Sequence, residues 1–175
     1  MNWYNFYKDR LNISYNKHIE KKYSLFIKEI EKLINPNSTI LEMGSGIGSI
    51  TKILNKRKKG NFLISDINKN MLKLSNQNLK SIPSFIFDIK NHLYKKVDII
   101  HCHGVLEHFD NTDIQKIIKN QLKSCTHLIH YVPSNKYKIQ SFGDERLLSK
   151  EEWFNLIKPK EIIAFNNNYD LILKW

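Results

Sequence analysis

Hydrophobic and polar residues follow two patterns along the chain, one typical of strands and one typical of helices. Short apolar runs bounded by Gly, Pro, Asn or Asp predict buried strands, and apolar residues at every third or fourth position predict amphipathic helices. The predicted strands are residues 39–43, 61–66, 84–88, 97–102, 126–132, 160–165 and 169–174. The predicted helices among them are residues 48–58, 68–79, 110–124 and 149–157.

The residues before the first strand have only the helical pattern. A short amphipathic helix is predicted within residues 2–12, and a second one from about Ser14 to Ile34. The sequence NPNS then stops the second helix. The single predicted domain, residues 1–175, is thus divided into an N-terminal helical cap, residues 1–36, and a core, residues 37–175.

The order of the elements predicts the fold class. Strands that alternate with helices pair in parallel, because each helix carries the chain back across the sheet. The last two strands are separated only by Asn166–Asn168, which predicts a hairpin. The expected fold is α/β: a seven-stranded, mostly parallel Rossmann-like sheet with helices on both faces and a C-terminal antiparallel hairpin.

The net charge of +11 raises the question of a nucleic-acid partner. Lysine accounts for 25 residues and arginine for only 3, although arginine is the residue that best forms forked phosphate contacts. Isoleucine (25) and asparagine (20) are enriched together with lysine, as an AT-rich coding sequence would impose. A nucleic-acid partner therefore stays open as the less favoured interpretation of the charge.

Location is predicted from what the sequence lacks. No apolar run is long enough for a membrane span, and the first residues lack the pattern of a secretory signal. Cys102 and Cys125 form no disulfide or metal pattern, and free thiols suit a reducing compartment. We expect a cytoplasmic protein without a bound metal.

Chemistry-bearing residues stand where the predicted strands end. Glu42 ends the first strand, before the glycines of TILEMGSGIGSI, and Asp66 and Asp88 end the next two. In a parallel sheet these ends meet beside the crevice where ligands bind. An acid at Asp66, 22 residues after Gly44, suits a ribose diol, whereas a carboxylate at Glu42 would repel a pyrophosphate and suits a cationic ligand. The sequence therefore predicts a nucleoside site that is not built for phosphates.

The chain resembles the class I S-adenosylmethionine-dependent methyltransferases, in particular the small-molecule branch that includes the ubiquinone/menaquinone-biosynthesis enzymes. LEMGSGIGS is similar to the family's glycine loop, ISDINKNML to its ribose-binding segment and FIFDI to its adenine-contacting segment. VDIIHCHGVLEHF and LIHYVPS are similar to its fourth and fifth strands. These motifs stand in the family's order and cover residues 39 to about 135.

The resemblance implies S-adenosyl-L-methionine as cofactor, S-adenosyl-L-homocysteine as product, and a role for each matched residue. Glu42, Gly44, Ser45 and Gly46 would face the methionine part, and Asp66 would hold the ribose. Ile67 and Met71 would enclose the adenine, and Asp88 and Ile89 would contact its amino edge. Cys102 and His103 would line the floor below the methyl group.

The implied reaction is in-line attack by an acceptor on the methyl group, with a base needed only if the acceptor must lose a proton. His103 and His108 are the candidates for that base, and Glu107 lies between them in the sequence. His108 could instead serve structure alone. Gly104 stands where related RNA 2′-O-methyltransferases carry a metal-binding Glu, so no metal is expected.

The acceptor pocket must come from the N-terminal helices and residues 134–148, because the chain has no large substrate domain. Tyr7, Tyr15 and Arg146 are the predicted acceptor-binding residues, although Arg146 could instead pair with a neighbouring acid. A small-molecule acceptor is the first hypothesis. The alternatives are RNA methylation that uses the basic surface, and a cofactor-binding pseudoenzyme or partner subunit. The sequence leaves the oligomeric state open.

Overall fold

The computed structural model describes residues 3–141 and 144–175. It contains seven strands within these ranges, and each overlaps a predicted one. The strands are β1 (Thr39–Met43), β2 (Asn61–Asp66), β3 (Ser84–Ile86), β4 (Val97–His103), β5 (Cys125–Pro133), β6 (Glu161–Phe165) and β7 (Asp170–Lys174).

The helices follow the predicted pattern in the core and depart from it near the N-terminus. They are α1 (Trp3–Tyr7), α2 (Ile13–Lys22), α3 (Ser24–Glu31), α4 (Ser49–Arg57), α5 (Lys69–Leu79), α6 (Asn111–Ser124) and α7 (Lys150–Ile157), with a 3₁₀ turn at Leu106–His108. Asp110 caps α6, and Ser149 with Glu152 forms a capping box at the start of α7. None of the helices in the described ranges is long and apolar enough to cross a membrane.

The sheet has the strand order β3-β2-β1-β4-β5-β7-β6. The first five strands in this order are parallel, whereas β7 runs antiparallel to both β5 and β6. This confirms the predicted Rossmann-like fold with its C-terminal hairpin. The order reverses between β1 and β4, which opens a crevice at the carboxyl ends of these two strands.

Alternating side chains place each strand residue on one of two sheet faces. One face packs against α2 to α5 and contains Ile40 of β1, Ile99 of β4 and Tyr131 of β5. The other packs against α6 and α7 and contains Met43 and Cys102. The N-terminal helices are therefore part of the layer on the first face, where Phe26 and Ile30 of α3 are fully buried.

The predicted single helix from Ser14 to Ile34 is wrong, because the chain bends at Tyr23 between α2 and α3. The Tyr23 ring is buried against the sheet, with its centroid 4.1 Å from that of His103 and 4.9 Å from that of Tyr131. An uninterrupted apolar stripe cannot reveal such a bend, because both halves present the same periodicity.

Candidate active site

A cavity of about 440 Å³ lies at the carboxyl ends of β1, β2, β3 and β4. Its size is in the range of small-molecule and cofactor sites. The predicted residues that line it are Tyr7, Tyr15, Glu42, Gly44, Ser45, Gly46, Asp66, Ile67, Met71, Asp88, Ile89, His103 and His108. Cys102, Glu107 and Arg146 were also predicted for the site but do not line the cavity.

The glycine loop between β1 and α4 forms the wall nearest the switch point. Gly44, Gly46 and Gly48 all have positive φ, a conformation that other residues adopt at a cost. A Cβ on Gly44 would stand 2.7 Å from a methyl group of Val105, so the loop passes directly against the segment after β4. The loop is further held by a bond from the Ser45 amide to the Ser65 carbonyl (2.9 Å).

Glu42 points from the end of β1 into the first face of the sheet and is almost fully buried. Its Oε2 accepts hydrogen bonds from the Thr51 amide (3.1 Å) and the Thr51 hydroxyl (2.5 Å). Burial raises the pKa of Glu42 to about 7, against the lowering effect of the Thr51 bonds. Thr51 thus holds the Glu42 carboxyl at Oε2, and Glu42 also lines the cavity.

Asp66 links the second strand to the glycine loop. Its Oδ2 accepts a hydrogen bond from the Gly46 amide (2.9 Å), and its Oδ1 accepts one from the Asn68 amide (2.8 Å). Burial raises the pKa of Asp66, and these backbone bonds oppose the rise. Two carboxylate oxygens offer about four acceptor positions, so the group keeps capacity for a ligand hydroxyl.

The outer end of the cavity is formed after β2 and β3. Ile67 is 65% exposed and Met71 is buried, so an apolar surface is offered to a ligand between them. Asp88 lines the cavity, and its Oδ1 also accepts a bond from the Lys90 amide (2.9 Å). Asp88 therefore closes a local turn in addition to facing the cavity.

Two buried hydroxyls of the cavity wall, Ser45 Oγ and Ser49 Oγ, have no hydrogen-bond partner among the described residues. Buried polar atoms in folded proteins are normally satisfied. Two of them in the wall of one cavity indicate a site that a polar ligand completes.

Aromatic residues of the N-terminal helices cover the cavity. Trp3 and Tyr7 of α1 stack with ring centroids 6.2 Å apart, and Tyr15 of α2 meets Tyr7 edge-on at 6.4 Å. Trp3 and Tyr7 also pack against Met71 and its apolar neighbours on α5. This helical cover therefore bridges the wall formed by α5 and the wall formed after β4.

His103 ends β4 and lines the cavity from the sheet side. Its ring stacks on Tyr131, with centroids 4.6 Å apart. Burial lowers the pKa of His103 to about 3, and the charge of Lys22 adds to that effect. The imidazole is therefore uncharged at neutral pH and can accept or donate a hydrogen bond but is a weak base.

His108 lies in the 3₁₀ turn after β4 and lines the cavity beside Trp3, whose ring centroid is 5.5 Å away. Its Nδ1 lies 3.0 Å from Oδ1 of Asp144. A carboxylate at Nδ1 favours the tautomer in which this nitrogen carries the proton and Nε2 carries the lone pair. A neutral His108 can therefore accept a proton at Nε2.

Cys102 does not lie on the cavity floor, contrary to the prediction. It is adjacent to His103 in a strand, so its side chain points to the opposite face of the sheet. There it is fully buried and 3.5 Å from Nε2 of Gln121. Burial raises the pKa of its thiol well above the usual range.

Glu107 and Arg146 also lie behind the cavity wall. The Glu107 carboxyl is buried, its Oε2 has no partner among the described residues, and burial raises its pKa to about 8. Arg146 donates from Nη1 to the Phe109 carbonyl (3.2 Å), and its amide donates to the Glu107 carbonyl (2.8 Å). Arg146 thus braces the segment after residue 143 against the turn that carries His108.

The two fully buried strand histidines His101 and His130 differ in their hydrogen bonding. Neither ring nitrogen of His101 has a partner among the described residues, although the ring is fully buried. His130, in contrast, has its Nε2 2.8 Å from Oε1 of Gln121. Burial lowers the pKa of both rings to about 3, so both are uncharged.

Sequence reasoning missed several lining residues, notably Trp3, Ser49, Phe109 and Asp144. Ser49 follows the last loop glycine, so its place at the start of α4 was a usable signal. Asp144 lies in the predicted pocket segment 134–148, but its pairing with His108, 36 residues away, had no local signal. Within residues 3–141 and 144–175, no three His, Cys, Asp or Glu side chains are grouped as a metal would require.

Residues 41–127 match the family model described as a methyltransferase domain. The match begins in β1 and ends in β5, so it includes the glycine loop and the strand ends that form the cavity. No curated protein matches the chain significantly.

Solved structures resemble the chain over almost its whole length. A S-adenosylmethionine-dependent methyltransferase from Clostridium acetobutylicum ATCC 824 is 17% identical, with a TM-score of 0.73 and coverage of 99% of this chain and 98% of that one. Magnesium protoporphyrin IX methyltransferase (ChlM) from Synechocystis PCC 6803, with bound SAH, is 14% identical, with a TM-score of 0.66 and coverage of 97% and 86%. DhpI, as its SAH complex, is 10% identical, with a TM-score of 0.76 and coverage of 98% and 92%.

Proposed function

The chain belongs to the class I S-adenosylmethionine-dependent methyltransferases, and we propose that it transfers a methyl group to a small-molecule acceptor. The observation that carries the proposal is one covered cavity that holds acidic residues of three successive strand ends beside two histidines. The closer resemblance to ubiquinone/menaquinone-biosynthesis enzymes stays a prediction.

The residues of the cavity wall fit S-adenosylmethionine. Glu42 would receive the cationic amino group of the methionine part at the oxygen that Thr51 leaves open. The unpartnered hydroxyls of Ser45 and Ser49 would complete their hydrogen bonding on the same part of the cofactor. Gly46 has no Cβ, and a Cβ built there would lie about 4 Å from the side chains of Tyr7 and Met71. The missing side chain leaves space for a ligand over the loop.

The nucleoside part would lie farther out along the strand ends. Asp66 would accept from the ribose hydroxyls with the lone pairs that the Gly46 and Asn68 amides leave free. Ile67 and Met71 would enclose the adenine, and the Asp88 carboxylate would accept from its amino group. The outward exposure of Ile67 is what such a contact requires, since a bound ring would cover it.

S-adenosylmethionine supplies a methyl group on a positively charged sulfur, so the donor is already activated. The task left to the chain's own residues is to position the acceptor in line with the methyl group and to exclude water. The cover formed by Trp3, Tyr7 and Tyr15 would do both. His108 would take a proton from the acceptor at Nε2 while Asp144 holds its Nδ1. His103 would orient the acceptor by a hydrogen bond, since its low pKa makes it a poor base.

What supports a small acceptor over RNA is the enclosure of the cavity. Aromatic side chains of α1 and α2 stand over the glycine loop, where a polynucleotide would need an open groove. The lysines of the chain are spread along the sequence instead of being gathered at the cavity, where Lys90 is the one lining residue of this type among the described residues.

A cofactor titration with the Asp66→Ala variant tests the proposal. We expect S-adenosylmethionine to bind the wild-type protein, and the variant to bind it about 100-fold more weakly, since it loses a charged acceptor and the tie to Gly46. Isothermal titration calorimetry measures the affinity. Asp98→Ala is the matched control, because Asp98 also accepts from a backbone amide, that of Thr39 (2.7 Å), but lies outside the cavity.

The comparison of the two variants separates binding from stability. Both lose a carboxylate that is bonded to a backbone amide, so both should unfold at a lower temperature. Only Asp66→Ala should lose cofactor affinity. Equal cofactor affinity in the wild type and Asp66→Ala, or no cofactor binding by the wild type, would overturn the proposed function.

A further inference from the structure

We propose that the acceptor is an amine that enters the cavity as an ammonium ion, with the N–H₃⁺ end directed to His108 and Asp144 and its carbon skeleton between the rings of Trp3, Tyr7 and Tyr15. This inference rests on the proposed methyltransferase function and names the acceptor class for the same cavity.

The charges of the cavity wall oppose those of the protein as a whole. The chain has a net charge of +11, yet four lining residues are acids: Glu42, Asp66, Asp88 and Asp144. Lys90 is the one lining residue of the described chain with an ammonium or guanidinium group, and its Nζ is directed to Asp113 at 3.5 Å. A cavity of this composition attracts cations and repels carboxylates and phosphates.

The cofactor would use three of the four acids and leave one. Glu42, Asp66 and Asp88 stand at the ends of β1, β2 and just beyond β3, where the methionine part, the ribose and the adenine would lie. Asp144 lies on the other side, beside the turn that carries His108. One negative charge therefore remains at the acceptor end of the cavity.

Aromatic rings of the cavity wall suit a cation, and the Trp3 ring is the one that lies beside His108, with centroids 5.5 Å apart. Trp3, Tyr7 and Tyr15 line the cavity, and their ring planes differ, with Trp3 and Tyr7 stacked and Tyr15 at 80° to Tyr7. An ammonium ion within about 6 Å of such a face is attracted to its π electrons. Rings of different orientation offer this attraction from more than one side.

The histidines complete an environment for deprotonating an amine. His103 is uncharged, so it does not repel an ammonium ion and can accept one of its N–H groups. His108, oriented by Asp144, can take one proton at Nε2. An amine bound as an ammonium ion has no lone pair until such a proton leaves, which gives the base a required task.

The step balances in atoms and electrons. His108 Nε2 takes one proton from the ammonium nitrogen, and the freed lone pair forms a bond to the methyl carbon. The bond between that carbon and sulfur breaks, and its electron pair stays on sulfur, which becomes the neutral thioether of S-adenosylhomocysteine. The product is a methylated ammonium ion, and His108 returns its proton to solvent.

Three probes of matched shape test the charge preference: phenethylamine, 2-phenylethanol and 3-phenylpropionate. Each is titrated into the full-length protein saturated with S-adenosylhomocysteine, and calorimetry measures the affinity. We expect phenethylamine to bind at least about tenfold more tightly than the alcohol, which is the size of one charge-assisted hydrogen bond. The carboxylate should bind more weakly than the alcohol.

Two pairs of variants test whether Asp144 and Tyr15 cause the preference for the amine. Asp144→Asn should reduce the preference for the amine over the alcohol by about tenfold, whereas Glu151→Gln, an exposed acid in the first turn of α7, should leave it unchanged. Tyr15→Leu should weaken amine binding about threefold to tenfold, and Tyr15→Phe, which keeps the aromatic face, should not.

The outcomes separate this inference from the proposed function. If S-adenosylhomocysteine fails to bind, the methyltransferase proposal itself fails. If it binds but the alcohol or the carboxylate binds as well as the amine, or if the amine does not bind at millimolar concentration, the amine proposal is overturned and the methyltransferase proposal stands. Unchanged amine preference in Asp144→Asn would equally overturn the assigned role of Asp144.

Discussion

The two halves of the cavity are built in different ways. The loop half consists of residues Glu42–Ile50, Asp66–Met71 and Asp88–Lys90. The histidine half consists of Trp3, Tyr7, Tyr15, His103, His108 and Asp144. In the loop half each acid accepts at least one hydrogen bond from a backbone amide. In the histidine half, the parts are held by ring packing and by side-chain bonds such as the one between His108 and Asp144.

The difference appears in the sequence distances that the bonds cover. Asp88 bonds to a residue 2 positions away, and Glu42 to one 9 positions away. His108 bonds to Asp144 across 36 positions, and α1 reaches the cavity from the start of the chain. The donor of each loop-half bond is a backbone amide, so the bond persists when the side chain of the donor residue changes. Under the proposed function, the loop half would hold the cofactor and the histidine half would hold the acceptor.

The largest expected effect separates the two halves by function. His108→Asn keeps an N–H group for Asp144 but removes the base, so kcat should fall by about 10²–10⁴-fold while cofactor affinity stays within about twofold. Initial rates with the best amine acceptor and a cofactor titration measure the two quantities. His92→Asn, an exposed histidine that does not line the cavity, is the control. Full activity of His108→Asn would exclude His108 as the base.

The second effect concerns the place where the two halves touch. Gly44→Ala puts a Cβ at a positive φ and within 2.7 Å of a Val105 methyl group, so the free energy of unfolding should fall by about 2–4 kcal/mol. Urea denaturation measures the change. The double variant Gly44→Ala/Val105→Ala should recover only the steric part, and Val105→Ala alone is its reference. Complete recovery in the double variant would show that the positive φ of Gly44 is of no consequence.

The third effect is that the two halves respond to pH with opposite sign. The folded pKa of Glu42 is about 7, above the ordinary 4.5, so its contribution to stability is full below pH 4.5 and is lost as pH rises to 7. The folded pKa of His103 is about 3, below the ordinary 6.5, so its contribution is lost as pH falls from 6.5 to 3.

Urea denaturation at pH 5 and pH 7.5 without cofactor measures this effect. As pH rises from 5 to 7.5, the free energy of unfolding of Glu42→Gln should increase relative to that of the wild type by roughly 2 kcal/mol, because the neutral amide does not ionise. His103→Asn should lose stability relative to the wild type over the same interval. Glu151→Gln, which changes an exposed acid, should stay parallel to the wild type. Parallel pH curves for Glu42→Gln and the wild type would contradict the raised pKa of Glu42.

The smallest effect concerns the two faces of the sheet. Cys102→Ala changes a residue behind the sheet, so cofactor affinity should remain within about twofold, although stability falls by about 1 kcal/mol for the lost packing. Ser45→Ala removes a hydroxyl that faces the cavity and should weaken cofactor binding by about threefold to tenfold. Calorimetry compares the two variants. A larger affinity loss in Cys102→Ala than in Ser45→Ala would place the cofactor elsewhere.

Most of the fold and the loop half could be predicted from the sequence. Strand and helix positions follow from local periodicity, and Ser149 and Glu152 stand three residues apart, as the capping box of α7 requires. The bend at Tyr23 could not be predicted, because it depends on where His103 and Tyr131 lie. Cys102 was misplaced for a different reason: the prediction assigned two successive strand residues to one surface, which the alternation of side chains forbids.

By itself, the sequence determined that Glu42, Asp66 and Asp88 would meet at one edge, because parallel strands end on the same side of a sheet and each acid follows its own strand. Only the tertiary structure decided that Asp144 would hold His108 and that the Trp3 ring would pack beside it. Those contacts join segments that are distant in sequence, and packing of the intervening chain, which no local pattern encodes, brings them together.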